Sequence, residues 1–170
     1  EIADVILPYL KDRPQSLHRH PNGISGEGFY QKNMPDSLPG WLETVEMYAE
    51  SAARNVRYLL CQDRATLTYM NNLGCIEINP WNSRVGSLDC PDYIAIDLDP
   101  GENEFDDVIE TALAVKEVLD RAKVDAWCKT SGATGMHIYV PLGARYFYDE
   151  VQDFAQIIGH RTHELLPHRT

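Results

Sequence analysis

Two aspartates that end an apolar strand are the residues of this sequence best suited to do chemistry. They are Asp97 and Asp99, in the segment YIAIDLDPG. Side chains at positions i and i+2 of a strand point to the same face, so both carboxylates face one site. Like charges this close are costly unless cations offset them, and Mg²⁺ and Mn²⁺ accept carboxylate ligands. The pair therefore predicts a two-metal centre, which stabilises the attacking and leaving oxygens of a phosphoryl displacement.

Two other interpretations of this strand stay open. Asp97 and Asp99 could simply end it, with Pro100 and Gly101 forming the turn, although the apolar run before them would hold both carboxylates rigidly and favours a metal site. Phosphatases of the haloacid-dehalogenase type also carry a strand that ends in two aspartates. They usually have a threonine soon after the second aspartate, and this chain has Pro-Gly-Glu there.

A glycine-rich turn precedes a later strand, in KTSGATGMHIYVP. Glycines let backbone amides approach a phosphate closely, and Ser131 and Thr134 add hydroxyl donors. His137 is predicted to share a face with Tyr139 and not with its apolar neighbours. A nucleoside triphosphate is one candidate ligand for this turn, and an ordinary glycine-rich hairpin is the alternative.

Cationic and aromatic side chains form two further clusters. Arg19 and its two flanking histidines, together with Lys32, could contact phosphate, although a solvated face is the better explanation for the first three. Trp81 and Arg84 lie in the segment NPWNSR, where the indole could stack on a base. A buried tryptophan is the commoner outcome for such a residue.

Composition limits the class of protein. A chain of 170 residues with 44% hydrophobic and 24% charged residues is typical of one globular domain, predicted over residues 1–170. Its net charge of −11 argues against a broadly basic surface, so any DNA contact must be local. It lacks the roughly 20 consecutive apolar residues of a membrane span and the features of a signal peptide, so we expect an intracellular protein. Its four cysteines lack zinc-type spacing and are expected to be reduced thiols.

The elements that must position these residues are predicted by hydrophobic spacing and capping signals. Helices are predicted over residues 2–10, 63–72, 105–122 and 149–166. Strands are predicted over residues 16–19, 29–32, 42–48, 55–61, 75–78, 93–98, 126–130 and 137–141, with a connection at 51–54. Because strands and helices intermix without a regular βαβ alternation, we predict an α+β fold whose mixed, mainly antiparallel sheet is flanked by helices.

Four segments in a characteristic order resemble the polymerase domain of bacterial ligase D, which belongs to the archaeo-eukaryotic primase superfamily. They are LHRHPNGISGEGFYQK, NNLGCIEINPWNSR, YIAIDLDPG and KTSGATGMHIYVP, and they extend over nearly all of the chain. The resemblance implies a primase-polymerase-like core that adds nucleotides, often ribonucleotides, to DNA 3′ ends during non-homologous end joining. It also implies Mn²⁺ or Mg²⁺ at a two-metal site and a location in the bacterial cytoplasm, at the nucleoid.

The resemblance assigns roles to individual positions. Asp97 and Asp99 match the metal-binding pair, and Lys32 matches a lysine that contacts a DNA 5′-phosphate or a nucleotide. The expected nucleotide-binding residues are Ser131, Gly132, Thr134 and His137, and the expected DNA-binding residues are Lys32, Arg19, Trp81 and Arg84. Two positions depart from the family pattern: Thr134 stands where many relatives have lysine, and Asn79 where they often have histidine. Triphosphate affinity or base selection could differ as a result.

The family pattern also begins upstream of Glu1 and continues to a third metal-binding acid on a later strand. No acid on a predicted strand follows Pro141, because Asp149, Glu150 and Asp153 fall on a predicted helix. We therefore expect a fragment or a reduced form of a larger polymerase domain, incomplete at both ends. The alternative function is a catalytically incomplete module that binds a DNA end or a nucleotide. Expected partners are 5′-phosphorylated DNA ends with a 3′ overhang, NTP or dNTP, a Ku-type end-binding protein and a fused ligase domain.

Overall fold

Helices and strands form close to where hydrophobic spacing predicts them. The computed structural model describes residues 1–49 and 53–167, so part of the predicted connection at 51–54 lies outside the described residues. The helices are α1 (Ala3–Leu10), α2 (Arg64–Asn72), α3 (Phe105–Arg121) and α4 (Tyr148–Leu165). The strands are β1 (Pro14–Arg19), β2 (Phe29–Gln31), β3 (Thr44–Ala49), β4 (Arg54–Leu60), β5 (Cys75–Pro80), β6 (Tyr93–Leu98), β7 (Trp127–Thr130) and β8 (Met136–Pro141).

Pairing extends two strands beyond the bounds that their sequence patterns predict. β1 begins earlier than predicted because Pro14 and Gln15 pair with β4. β5 ends later than predicted because Asn79 and Pro80 pair with β1. The extra residues carry no periodic signal of their own, so only the partner strand determines that they are extended.

Backbone contacts divide the chain into two compact units, Glu1–Gly86 and Ser87–Thr170. All described strand pairs are antiparallel, and they form two sheets, one in each unit. The predicted α+β class with mainly antiparallel pairing is confirmed. The single domain over residues 1–170 stays a prediction. Among the described residues, no helix is long and apolar enough to cross a membrane.

The first unit is built around β1, which pairs with β2 and β4 along one edge and with β5 along the other. Its core includes Leu17 and Leu59 from the sheet and Met70 from α2, all fully buried. Asp63 caps α2 as predicted, since its carboxylate accepts hydrogen bonds from the amide and hydroxyl of Thr66. Burial in the same core raises the pKa of the Cys61 thiol to about 11, so this cysteine stays protonated at neutral pH.

The second unit is a three-stranded sheet in the order β6-β8-β7, with one face covered by α3 and α4. Ile94, Val140 and Ile138 point into the core, where they meet Leu119 of α3 and Ile158 of α4. β6 is predicted to be a buried strand, and this prediction is wrong for one face. Alternate residues of β6 are exposed because both helices pack on the same side of the sheet.

Candidate metal and phosphate site

The uncovered side of this sheet, which we call the open face, carries a row of polar side chains. Asp97 on β6 lies opposite His137 on β8, which in turn lies opposite Lys129 on β7. Directly opposed residues of an antiparallel ladder point to the same face. These three residues, the polar row, therefore cross the sheet side by side. Tyr139 lies on the same face two residues after His137.

His137 lies between a carboxylate and a phenol. Its Nε2 is 3.1 Å from Oδ1 of Asp97, and its Nδ1 is 3.4 Å from the hydroxyl of Tyr139. A neutral ring with its proton on Nε2 satisfies both contacts, because it donates to the carboxylate and accepts from the hydroxyl. Burial raises the pKa of Tyr139, and the nearby charge of Asp97 adds to this effect. The predicted sharing of a face by His137 and Tyr139 is confirmed.

The predicted phosphate turn joins β7 to β8 and is closed by hydrogen bonds to Ser131. The Ser131 amide donates to the Gly135 carbonyl over 2.9 Å, and the Gly135 amide donates to the Ser131 hydroxyl oxygen over 3.0 Å. Gly132 has a φ of +105°, a conformation that favours glycine. Thr134 is exposed, and in the described part of the chain the amides of Gly132 and Thr134 have no acceptor. The turn therefore presents donors to solvent.

Gly135 brings the turn against the end of β6. A Cβ atom at this position would lie 2.5 Å from the Leu98 carbonyl oxygen and 2.9 Å from Oδ1 of Asp99. Both distances are shorter than real contacts allow, so only glycine fits without displacement of the strand. The structure thereby joins the two features that the sequence predicts separately, the aspartate pair and the glycine-rich turn.

Asp97 and Asp99 fit part of the coordination of a hard divalent cation. Both side chains are exposed, and that of Asp97 keeps 60% of its area accessible. Among the described residues, no group of three His, Cys, Asp or Glu side chains could hold a metal ion. Asp149, Glu150 and Asp153 lie on α4, as predicted. Mg²⁺ commonly uses one or two carboxylates, with substrate phosphates and water completing its shell, so the pair suits an ion that arrives with a nucleotide.

In the first unit, Arg19 is engaged by the protein itself. Its guanidinium donates to the Leu73 carbonyl over 2.9 Å and to the Gln31 side chain over 2.6 Å, and it lies over the Phe29 ring. These contacts fix the guanidinium in a network between β1, β2 and the end of α2. DNA contact by Arg19 stays a prediction.

The histidine before Arg19 is also held by neighbours. His18 stacks on Tyr30 with ring centroids 4.4 Å apart, and its Nδ1 is 2.9 Å from the Glu77 carboxylate. The hydrogen bond from His18 holds the pKa of Glu77 below its usual range. The solvated-face interpretation of this cluster is therefore too simple, because the rings are packed.

Trp81 and Arg84 make contacts inside the first unit. The Trp81 ring is half-buried and meets the Tyr58 ring edge-on at 5.2 Å. The Arg84 guanidinium donates to the carbonyls of Lys11 and Pro8 at the end of α1, over 2.5 and 3.2 Å. Base stacking by Trp81 and DNA contact by Arg84 stay predictions.

Lys32 lines a cavity of about 340 Å³ that sequence analysis does not identify. A second cation, Arg54 at the start of β4, lines the same cavity, which we call the cation pocket. Its other lining residues are Tyr30, Gln31, Asn33, Ala49, Val56 and Tyr58. Neither cation forms an ion pair with another described residue. The sequence contains a weak indication for Arg54, since this residue shares a strand face with Val56 and Tyr58, two and four residues later.

A family model for the LigD primase-polymerase domain matches residues 1–170. The chain belongs to this LigD primase-polymerase family. The resemblance seen in four sequence segments is thus confirmed. Two curated relatives show the same likeness over almost the whole chain. It is 36% identical over 169 residues to the multifunctional non-homologous end joining protein LigD of Pseudomonas aeruginosa, and 32% identical over 161 residues to the bifunctional protein LigD of Bacillus subtilis.

The fold of the LigD polymerase domain is also recognisable in a solved structure. The chain matches the polymerase domain from Mycobacterium tuberculosis ligase D in complex with DNA, with a TM-score of 0.85 and 23% identity. The match covers 98% of this chain and 60% of that domain. The alignments with the two relatives span 98% and 94% of this chain, and only 20% and 25% of the relatives' own length. The activities of the whole LigD proteins are therefore only proposed for this chain.

Proposed function

We propose that this chain transfers nucleotides from nucleoside triphosphates to DNA 3′ ends in a reaction that needs Mn²⁺ or Mg²⁺. The observation that carries the proposal is the packing of Gly135 against Leu98 and Asp99, which joins the aspartate pair to the glycine-rich turn. Relatives named as non-homologous end joining proteins support the same class of reaction. The reaction would serve repair of double-strand breaks in the bacterial cytoplasm, at the nucleoid.

Each group on the open face has a role in this proposal. Asp97 and Asp99 would hold the divalent ion, which would neutralise charge on the transferred phosphoryl group. The Ser131 hydroxyl and the amides of Gly132 and Thr134 would donate to phosphate oxygens. With Asp97 holding the ion, Nε2 of His137 would be able to donate to a phosphate as well.

DNA binding is proposed for the cation pocket of the first unit. Lys32 and Arg54 line one cavity, and neither has a carboxylate partner among the described residues. Both can therefore bind a DNA phosphate. A solved relative in complex with DNA supports a DNA partner. A Ku-type end-binding protein and a ligase domain in the same polypeptide are further proposed partners, on the strength of the resemblance.

Primer extension tests the proposal. The purified chain is incubated with Mn²⁺, ATP and a duplex that carries a 3′ overhang, and product length is measured. Asp97→Asn should slow extension by about 100-fold or more, because lost charge stabilisation of the transition state is worth several kcal/mol. Asp120→Asn, which changes an exposed α3 aspartate paired with Lys116, should extend normally. The proposal fails if wild-type protein adds no nucleotide, or if both variants extend DNA equally.

A catalytically incomplete DNA-end or nucleotide-binding module is the second candidate. It is favoured by the finding that no group of three metal-ligating side chains lies together in the described residues. This candidate predicts tight, salt-sensitive binding of 5′-phosphorylated DNA that is lost in Lys32→Ala and indifferent to metal. Extension of the overhang by the wild-type chain would contradict it, and so would absence of DNA binding.

A further inference from the structure

We propose that Lys129 is a nucleotide-binding residue that contacts the β- and γ-phosphates of a nucleoside triphosphate held at the open face. The inference rests on the proposed function and extends it by one named side chain. In the polar row, Asp97 would then bind the metal at one end, His137 would lie in the centre, and the Lys129 ammonium would bind phosphate at the other end.

The sheet register carries the first step. Lys129 lies directly opposite His137, which itself lies opposite Asp97. Opposed side chains of an antiparallel pair have Cβ atoms about 5 Å apart, so Lys129 and His137 can contact one ligand together. Lys129 is exposed, so a ligand can reach it.

Among the described residues, the Lys129 ammonium forms a single hydrogen bond. Its Nζ is 3.0 Å from the Thr130 carbonyl oxygen, on the residue immediately before the glycine-rich turn. This carbonyl points off the outer edge of β7, because the Ser131 amide of the same trans peptide donates in the opposite direction, to Gly135 beside β8. The ammonium must therefore leave this carbonyl and turn inward on its flexible four-carbon stem to reach a phosphate beside His137. Its three donors are then available for phosphate oxygens.

Charge carries the third step. The second unit has seven Lys and Arg residues against sixteen Asp and Glu residues, and the turn at 131–135 contains no cation. Three of the seven pair with acids on their own helices, namely Lys116, Arg121 and Arg161. Lys129 has no carboxylate partner among the described residues, and its side chain belongs to the open face. A triphosphate brought beside two aspartates needs such a cation to offset repulsion.

Nucleotide titrations test the inference on the whole 170-residue chain. ATP and AMP are titrated in the presence of Mn²⁺ against wild type, Lys129→Ala, Lys129→Arg and the matched control Lys116→Ala. Lys129→Ala should weaken ATP binding about tenfold or more, because a charge-assisted hydrogen bond is lost, and should change AMP binding less than twofold. Lys129→Arg should stay within about threefold of wild type, since it keeps the charge. Lys116→Ala should bind both nucleotides as wild type does.

The outcomes separate this inference from the proposed function. Equal ATP affinities in Lys129→Ala and Lys116→Ala would overturn the role of Lys129, and so would an equal loss of ATP and AMP affinity. If Asp97→Asn abolishes Mn²⁺-dependent ATP binding while Lys129→Ala does not affect it, only the lysine assignment fails. If wild type binds no ATP, both fail. A loss in Lys129→Ala that Lys129→Arg restores supports the phosphate contact even where the alanine variant is less stable.

Discussion

The two units differ in how they use charge. The first unit has eight Lys and Arg residues against ten Asp and Glu residues, and the second has seven against sixteen. In the first, two cations without carboxylate partners among the described residues line one pocket. In the second, two exposed aspartates end a strand beside a turn of amide donors. The proposed DNA site and the proposed metal site therefore lie in units of different charge.

The units also differ in how far the protein engages its own candidate residues. Arg19 and Arg84 of the first unit donate to backbone carbonyls that fix neighbouring elements. Of the aspartate pair in the second unit, Asp97 contacts His137, and Asp99 forms no ion pair with a described residue. Side chains that are bonded within the protein stabilise the fold, and exposed side chains without such bonds are available to ligands. The predictions below test this distinction.

The largest effect is expected from Asp99→Asn. The change should lower nucleotide incorporation by about 100-fold or more through loss of a metal ligand. It should leave the free energy of unfolding equal or higher, because it removes repulsion between two close carboxylates. Urea unfolding and primer extension measure the two quantities on the same preparation. Parallel losses of stability and activity would mean that Asp99 supports the fold and not a ligand.

Gly135→Ala should affect both the fold and the site of the second unit. The new methyl group would meet the Leu98 carbonyl at 2.5 Å, so the turn and the end of β6 must separate. We expect a loss of about 1–3 kcal/mol in the free energy of unfolding, as for other overpacked positions, with reduced incorporation. Gly159→Ala is the control, since nothing lies within 4 Å of its added Cβ and α4 should gain about 0.5–1 kcal/mol. Unchanged stability in Gly135→Ala would show that the turn does not pack on β6.

The cation pocket of the first unit should respond with DNA affinity and not with stability. Lys32→Ala and Arg54→Ala should each weaken binding of 5′-phosphorylated DNA by about tenfold and reduce the salt slope by about one. Arg64→Ala removes an exposed cation that is paired with Asp4, and it should change neither quantity. Fluorescence anisotropy at several salt concentrations measures both. If all three variants bind alike, the pocket is not a DNA site.

The smallest effect is expected at the cap of α2, which has no part in either site. Asp63→Ala should cost about 1 kcal/mol. The hydrogen bond from the Thr66 amide holds the pKa of Asp63 below its usual range. The carboxylate therefore stabilises the fold above about pH 4, and this contribution is lost as pH falls through the lowered folded pKa. Asp63→Asn caps the helix at any pH, so its stability relative to wild type should rise only on acidification; a pH-independent difference would contradict the assignment.

Sequence patterns predict elements with a local signal. The helix of Phe105–Arg121 forms where its amphipathic periodicity predicts it, and the strand of Tyr93–Leu98 forms where its apolar run predicts it. The proximity of Asp99 to the turn is different. It follows from the packing of Gly135 on Leu98, a contact between residues far apart in the chain that no spacing rule contains.

Sequence patterns do not identify residues whose candidate role depends on their neighbours in the fold. Lys129 becomes a candidate because β7 places it opposite His137, and a lysine on an isolated strand carries no such signal. Arg54 becomes a candidate because it lines the same pocket as Lys32. The exposure of one face of β6 also depends on tertiary structure, since α3 and α4 both pack on the other face of the sheet.

One paired measurement tests the division of labour between the units most directly. Affinities for ATP with Mn²⁺ and for 5′-phosphorylated DNA are determined on wild type, Asp97→Asn and the double variant Lys32→Ala/Arg54→Ala. Asp97→Asn should lose ATP affinity and bind DNA at least as well as wild type, because it carries one negative charge fewer. The double variant should show the reverse pattern. Loss of both affinities in either variant, or of neither, would contradict the account.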